Sequence, residues 1–363
     1  MRLTGRACEA GIAPRTSFRS RRTAGHLYAT LRRDAILPCL AGLVLTACSA
    51  TSTPSSSSAA SPSSRRPPVA TSAPPSSSPA STPTASSIAP VPNAPCGRTG
   101  SPPATYDHVV WIWLENHTEG QVIGSPSAPY ETMLAHRCGT ASHYASVGSP
   151  SLPNYIAATS GSTWGIADDD APSAHRLTAD NLFREVRATG RAERSYEEGM
   201  AETCALTSNG AYAVKHNPAA YYNGADDRAA CEADDVPLGT ADGGALARDL
   251  ATGSLPAFSF ITPDLCHDTH DCSVATGDDW LASWVSKIVS SPAYEAATTA
   301  VFIVWDEPTP MPLIVLSPST PPGTAASESL NHYSLLRTTE ELLGVPLLAG
   351  ASTAVSMRVS FRL

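Results

Sequence analysis

A chain of 363 residues has length enough for two domains, yet much of its first hundred residues is too biased in composition to join a packed core, which leaves one substantial domain. The formal net charge of -9 and the scarcity of Lys exclude binding to nucleic acid through its backbone, which needs a basic surface. The same acidic balance gives no electrostatic attraction to anionic lipid headgroups.

The first 34 residues are rich in Arg and show no sustained apolar period. An apolar run from Ala35 to Ala47 follows and ends at Leu45-Thr46-Ala47-Cys48. It is shorter than the roughly 20 residues a membrane-spanning helix needs and fits the core of a signal peptide. The run therefore predicts a signal peptide over 1–48 with a lipobox, cleaved before Cys48, whose thiol would carry a lipid; Arg32-Arg33 fits a twin-arginine signal poorly. From Ser49 to Pro95 the chain is almost wholly Ser, Pro, Ala and Thr. Such a composition buries too little apolar surface to offset its ordering entropy, and reads as a disordered tether over 49–95. The folded domain is expected over 96–363. Setting aside Cys8, Cys39 and Cys48, an even set remains: Cys96, Cys138, Cys204, Cys231, Cys266 and Cys272. In an exported chain these are expected to form disulfides, and their order favours Cys96 with Cys138, Cys204 with Cys231, and Cys266 with Cys272. No Cys-x-x-Cys pair supports a structural zinc site.

The first strong element is Tyr106 to Leu114, a β-branched and aromatic run that reads as a buried strand. Glu115-Asn116 follows it directly. A helical pattern spans Tyr130 to His136, and Gly148-Ser149-Pro150-Ser151-Leu152-Pro153-Asn154-Tyr155 then leads into a short helix read from Ile156. Ser151 ahead of a helix is either a cap or a hydroxyl placed where free N–H groups favour a phosphate, and the local residues do not separate these. A helix is expected from Asn181 to Ala188. Lys215-His216-Asn217-Pro218 places a cation and donors together on an acidic chain. A strand over Pro256 to Ile261 precedes Asp264-Leu265-Cys266-His267-Asp268-Thr269-His270-Asp271-Cys272, in which His270 has carboxylates beside it that would orient an imidazole. Further on come a helix over Trp280 to Val289, strands over Thr299 to Trp305 and Pro312 to Leu316, and a helix over His332 to Leu343. Asp306-Glu307 closes the first of these strands.

Buried strands interleaved with helices predict an α/β fold, a three-layer α/β/α sandwich around a largely parallel sheet. Active groups in such folds gather at the carboxyl ends of strands. One carboxylate there commonly caps a turn, but an acid–amide pair on one strand and an acidic pair on another suit a divalent cation: Ca, Mg or Mn, or Zn or Fe if imidazoles join.

In order along the chain, Glu115-Asn116, Ser151 to Tyr155, Lys215 to Pro218, Asp268 to Asp271, Trp305 to Glu307 and His332 to Thr338 resemble one family. It is the bacterial phosphoesterase family of secreted acid phosphatases and phospholipases C, within the alkaline phosphatase-like superfamily. The resemblance runs from about Tyr106 to Ala349. It implies one divalent metal held by Glu115, Asn116, Ser151, Asp306 and Glu307, with Ser151 also the nucleophile of a phosphoserine intermediate. It also implies His270 and His332 around the phosphate, and Asn154, His216 and Asp268 as substrate contacts. Ser149 stands where many members carry His, and Glu307 where some carry Asp.

The function expected is an exported, metal-dependent phosphomonoesterase, an acid phosphatase with phosphoinositides among its candidate substrates. A phospholipase C-type phosphodiesterase is the alternative, and a tethered binding lipoprotein without catalysis the alternative of another class. The protein is expected at the cell surface or secreted, monomeric, and attached to membrane only through Cys48.

Overall fold

The computed structural model describes residues 94–363. The signal peptide, Cys48 and all but the last two residues of the tether lie outside the described residues.

The strands are β1 (His108–Leu114), β2 (Gly139–Ala141), β3 (Tyr144–Ala145), β4 (Glu193–Glu197), β5 (Asp235–Pro237), β6 (Phe258–Thr262), β7 (Thr299–Trp305), β8 (Leu313–Leu316), β9 (Thr324–Ala326) and β10 (Leu330–Asn331). Eight of them form one sheet in the order β5-β4-β6-β1-β7-β8-β2-β9. From β5 to β7 every pairing is parallel, and β8 alone runs against its neighbours. All seven residues of β7 are buried, as are six of the seven in β1. Strands covered on both faces read as continuous apolar runs, which is why these two were plain in the sequence.

Helices cover both faces. They are α1 (Glu119–Val122), α2 (Pro129–Arg137), α3 (Ser151–Ser160), α4 (Leu182–Ala188), α5 (Asp227–Asp234), α6 (Ala245–Thr252), α7 (Val274–Val289), α8 (Pro292–Glu295), α9 (His332–Leu343) and α10 (Arg358–Phe361). The alternation of β1 separates the layers. Trp111 donates its indole N–H to Thr339 of α9, while Leu114, on the other face, lies beside Gly277 of α7. The helices α3 and α4 pack with α9, and α2, α6 and α8 with α7. The molecule is thus the expected three-layer α/β sandwich. Among the described residues no helix is long and apolar enough to cross a membrane.

Helix ends follow local chemistry. Asn181, Ser273 and Asn331 cap α4, α7 and α9 with their side chains, and Gly344 ends α9 at φ 67°. One boundary corrects the sequence reading. Helix α3 begins at Ser151, five residues before Ile156, with Pro150 as its N-cap residue. Pro153 sits in the first turn, where a missing N–H costs nothing, so it does not break the helix. Ser151 is therefore the first helical residue rather than the cap.

All three disulfides form as expected: Cys96–Cys138, Cys204–Cys231 and Cys266–Cys272. Such bonds persist in oxidising surroundings, outside the reducing cytosol.

Candidate active site

The carboxyl ends of the parallel strands meet α3 at one place. Glu115 follows β1 and is fully buried. Its Oε2 accepts from Ser151 Oγ at 3.0 Å and from the Asn116 amide at 3.4 Å, and its Oε1 accepts from the Tyr155 hydroxyl at 2.5 Å. Asp306, just past β7, accepts the Asn116 backbone N–H at Oδ1, 3.0 Å away. Ser151, 2% exposed, is thus held at the start of a helix between two buried acids. Ser151 and Tyr155 lie four residues apart, on one helix face, and both reach Glu115.

His216 closes the other side. Its Nε2 lies 3.3 Å from Glu115 Oε1 and its Nδ1 3.1 Å from Asp268 Oδ2. Its ring stacks on Tyr155 with centroids 5.2 Å apart. Asp268 also accepts the His270 backbone N–H at 2.7 Å. Between them Thr269 has φ 75°, a conformation costly for a β-branched residue. It is secured by its hydroxyl, which donates to the Glu115 carbonyl at 2.9 Å.

Burial dominates the electrostatics. It pushes Glu115 well above the usual carboxyl range, and the charges of Asp306 and Asp268 add to that rise. Burial likewise lifts Asp268 to about 7 and Asp306 to about 6, and drives His216 well below the ordinary imidazole value. Three buried acids with so little compensating charge are costly. Asp306 Oδ2, Asp268 Oδ2 and His216 Nε2 also lack an aligned hydrogen-bond partner. Glu115, Asn116, Ser151 and Asp306 together form an oxygen donor set suited to a hard divalent cation, so the residues fit such an ion.

Other clusters fit less well. Cys204, Cys231 and Asp235 lie close together, but both sulfurs are consumed by a disulfide. Asp168, Asp170 and His175 sit on a largely exposed loop, and Glu198, Asp264 and His267 already hydrogen-bond among themselves. Glu307 is half-buried. Among the described residues no hydrogen bond joins it to Glu115, Ser151 or Asp306, and its charge serves to raise Asp306.

Two expected phosphate or substrate contacts are otherwise engaged. The Asn154 carbonyl accepts from the N–H groups of Val147 and Gly148, and its amide donates to the carbonyls of Gly148 and Pro150. All four of its hydrogen bonds are thereby used in shaping the turn ahead of Ser151. His332 is buried, with Nε2 2.9 Å from the Asp306 carbonyl and Nδ1 2.9 Å from the Tyr144 hydroxyl. A carbonyl only accepts, so the proton is on Nε2 and Tyr144 donates to Nδ1. Burial lowers this imidazole to about 4, which keeps it neutral. It fixes the backbone of Asp306. His270 differs: it is partly exposed, its Nδ1 lies 2.7 Å from Asp271, and its ring is 5.8 Å from that of His216.

Tyr155 and Tyr144 carry roles that sequence reasoning did not assign. The i, i+4 spacing from Ser151 was a usable signal for Tyr155; Tyr144 had none, because only tertiary packing brings it to His332.

A buried serine at a helix start, beside two strand-end acids on a doubly covered parallel sheet, is an arrangement suited to a hydrolase of phosphate esters. The chain belongs to the phosphoesterase family, whose model matches residues 112–346. It is 29% identical over 278 residues to a phosphatidylinositol-3-phosphatase of Mycobacterium tuberculosis, covering 74% of this chain and 87% of that one. It is 27% identical over 259 residues to a phosphate-repressible acid phosphatase of Penicillium chrysogenum, covering 67% of this chain but 60% of the longer fungal protein. Among solved structures it resembles an alkaline phosphatase superfamily protein of Vibrio parahaemolyticus, with a TM-score of 0.48 and 12% identity over 71% of this chain and 72% of that one.

Proposed function

We propose that the protein is a metal-dependent phosphomonoesterase that works through a phosphoserine at Ser151. The observation that carries this is the Ser151 hydroxyl, buried at the start of α3 and hydrogen-bonded to Glu115 at 3.0 Å. Glu115, Asn116, Ser151 and Asp306 would hold the metal, with Glu307 beside them. When bound, a divalent ion favours the alkoxide of Ser151 and offsets charge on the phosphoryl oxygens.

The remaining work falls to the chain. Ser151 Oγ attacks phosphorus in line, the P–O bond to the alcohol breaks, and the Oγ proton has an acceptor in Glu115 Oε2. The positive end of α3, where Ser151 is the first helical residue, favours the developing charge. His270, at the rim, protonates the leaving alkoxide. Water then attacks the phosphoserine and releases inorganic phosphate, restoring the Ser151 hydroxyl. His216 and Asp268 flank this centre, while Asn154 and His332 position it. The acid phosphatase name of the fungal relative supports activity under mildly acidic conditions. The names of its bacterial and fungal relatives support monoesters, phosphoinositides among them, as substrates. We also read the chain as an exported, monomeric lipoprotein anchored at Cys48 and carried on the 49–95 tether.

The test is release of inorganic phosphate from a chromogenic monoester, set against turnover of a chromogenic choline phosphodiester. Both are measured for wild type and Ser151→Ala, before and after chelation. Full activity in the variant would refute the nucleophile, and turnover of the diester alone would refute the monoester reading. Failure of radiolabelled palmitate to enter the wild-type chain would refute the anchor.

A further inference from the structure

The end of α3 has few donors to offer a phosphate. Of the four backbone groups that a helix start leaves without partners, Pro150 and Pro153 supply none. The amides of Ser151 and Leu152 remain. The Leu152 N–H is already bound: it donates to Asp169 Oδ1 at 3.0 Å. The other oxygen of that carboxylate, Oδ2, accepts from Lys215 Nζ at 3.1 Å. Asp169 and Lys215 are partly exposed, at 27% and 21%. Both line, with His270, Asp271 and Tyr212, an open groove of about 440 Å³, and the His270 ring lies 5.8 Å from that of His216.

An anion from the protein itself therefore holds one of the two donors that a phosphoryl group on Ser151 would use, and it also engages Lys215. A phosphate dianion entering the site meets a like charge, and one N–H does not serve two anions well. We propose that Asp169 is a resident substitute for the substrate phosphate. Binding exchanges its carboxylate for a phosphoryl oxygen on Leu152 N–H and passes Lys215 from the carboxylate to the phosphate. The carboxylate returns as inorganic phosphate leaves, so Asp169 is a product-release residue. The segment that carries it, between α3 and α4, is a loop with mostly exposed neighbours at 167, 168 and 170, which gives it room to withdraw. No bond is made or broken in the exchange. The inference rests on the reading of Ser151 as nucleophile.

The experiment is calorimetric titration of the metal-loaded protein with inorganic phosphate, alongside steady-state kinetics on a chromogenic monoester. Asp169→Asn keeps an oxygen for Leu152 N–H but removes the charge, and should bind phosphate about tenfold more tightly. Its KM should fall, and kcat should fall with it as release of product slows. A merely structural cap would not produce that paired drop. Asp169→Ala, which removes the competing group entirely, should bind phosphate at least as tightly as Asp169→Asn. Lys215→Met should weaken phosphate binding, and placed in the Asp169→Asn background should abolish the gain. If the wild type binds phosphate and turns over monoester while Asp169→Asn and Asp169→Ala bind phosphate no more tightly, this inference falls and the proposed function stands. If the wild type neither binds phosphate nor releases it from monoesters, the proposed function falls, and this inference with it.

Discussion

Replacing Tyr155 by Phe removes one oxygen and leaves the ring, with its stacking on His216 and its tilted contact with Trp113, in place. The lost group donates at 2.5 Å to Glu115 Oε1 inside a fully buried pocket. A hydrogen bond to a charged acceptor is worth roughly 1.5–3 kcal/mol, or about 10- to 150-fold in an equilibrium constant. Partners that orient a metal ligand cost a similar 10- to 100-fold in metal affinity when removed. Tyr155→Phe should therefore weaken metal binding by about one to two orders of magnitude. The assay is direct titration of the metal-stripped protein with Mn²⁺ or Zn²⁺, followed by calorimetry and by the rise in Tm that bound metal confers. An unchanged metal affinity, with an unchanged Tm at saturating metal, would refute Glu115 as a ligand oriented by this hydroxyl.

Burial lifts Glu340 to about 8. A carboxyl raised in the folded state stabilises the fold fully only below its unfolded value, and that contribution is lost as pH rises toward the folded one. Glu340→Gln should therefore raise stability at pH 7, on the order of 3 kcal/mol, and change little near pH 4; Tm values that differ equally at both would contradict this. His332→Ala should cost roughly 2–5 kcal/mol of stability for a buried ring with two hydrogen bonds, whereas His270→Ala should leave Tm nearly unchanged and lower turnover. Equal losses of Tm in the two variants would show that the distinction is wrong. Opening Cys96–Cys138, which closes 42 residues, by double substitution to Ser should cost about 4 kcal/mol, against about 2 kcal/mol for the shorter Cys266–Cys272 loop. Chemical denaturation of each variant reads the order directly.

Much of the site was legible because β1 and β7 are apolar throughout and stop abruptly at acids, which marks Glu115 and Asp306 as strand-end residues. Ser151 was ambiguous locally and became specific only through the order of motifs around it. What the sequence hid was hidden by tertiary contacts. Strand β4 reads Glu-Arg-Ser-Tyr-Glu, and its charges are tolerated because Glu193 pairs with Arg187, and Arg194 with Asp234 and Asp249. No alternation of apolar residues announces it. The start of α3 was obscured by two prolines that look like breakers until their place in the first turn is known. Asp169 is one of three consecutive aspartates in a loop, and nothing in that run tells which of them reaches Leu152. For His332 and Asn154 the residue types pointed to phosphate, but the partners that use up their hydrogen bonds, Tyr144 and the turn at Val147 and Gly148, come from elsewhere in the fold.

Each disulfide encloses part of the candidate site. The bridge from Cys96 to Cys138 spans Glu115 and Asn116, that from Cys204 to Cys231 spans Lys215 and His216, and that from Cys266 to Cys272 spans Asp268 and His270. A newly made chain, still reduced, lacks all three closures. The segments that must converge on Ser151 then have their full slack. Assembly of the candidate site is in this way tied to oxidation of the chain.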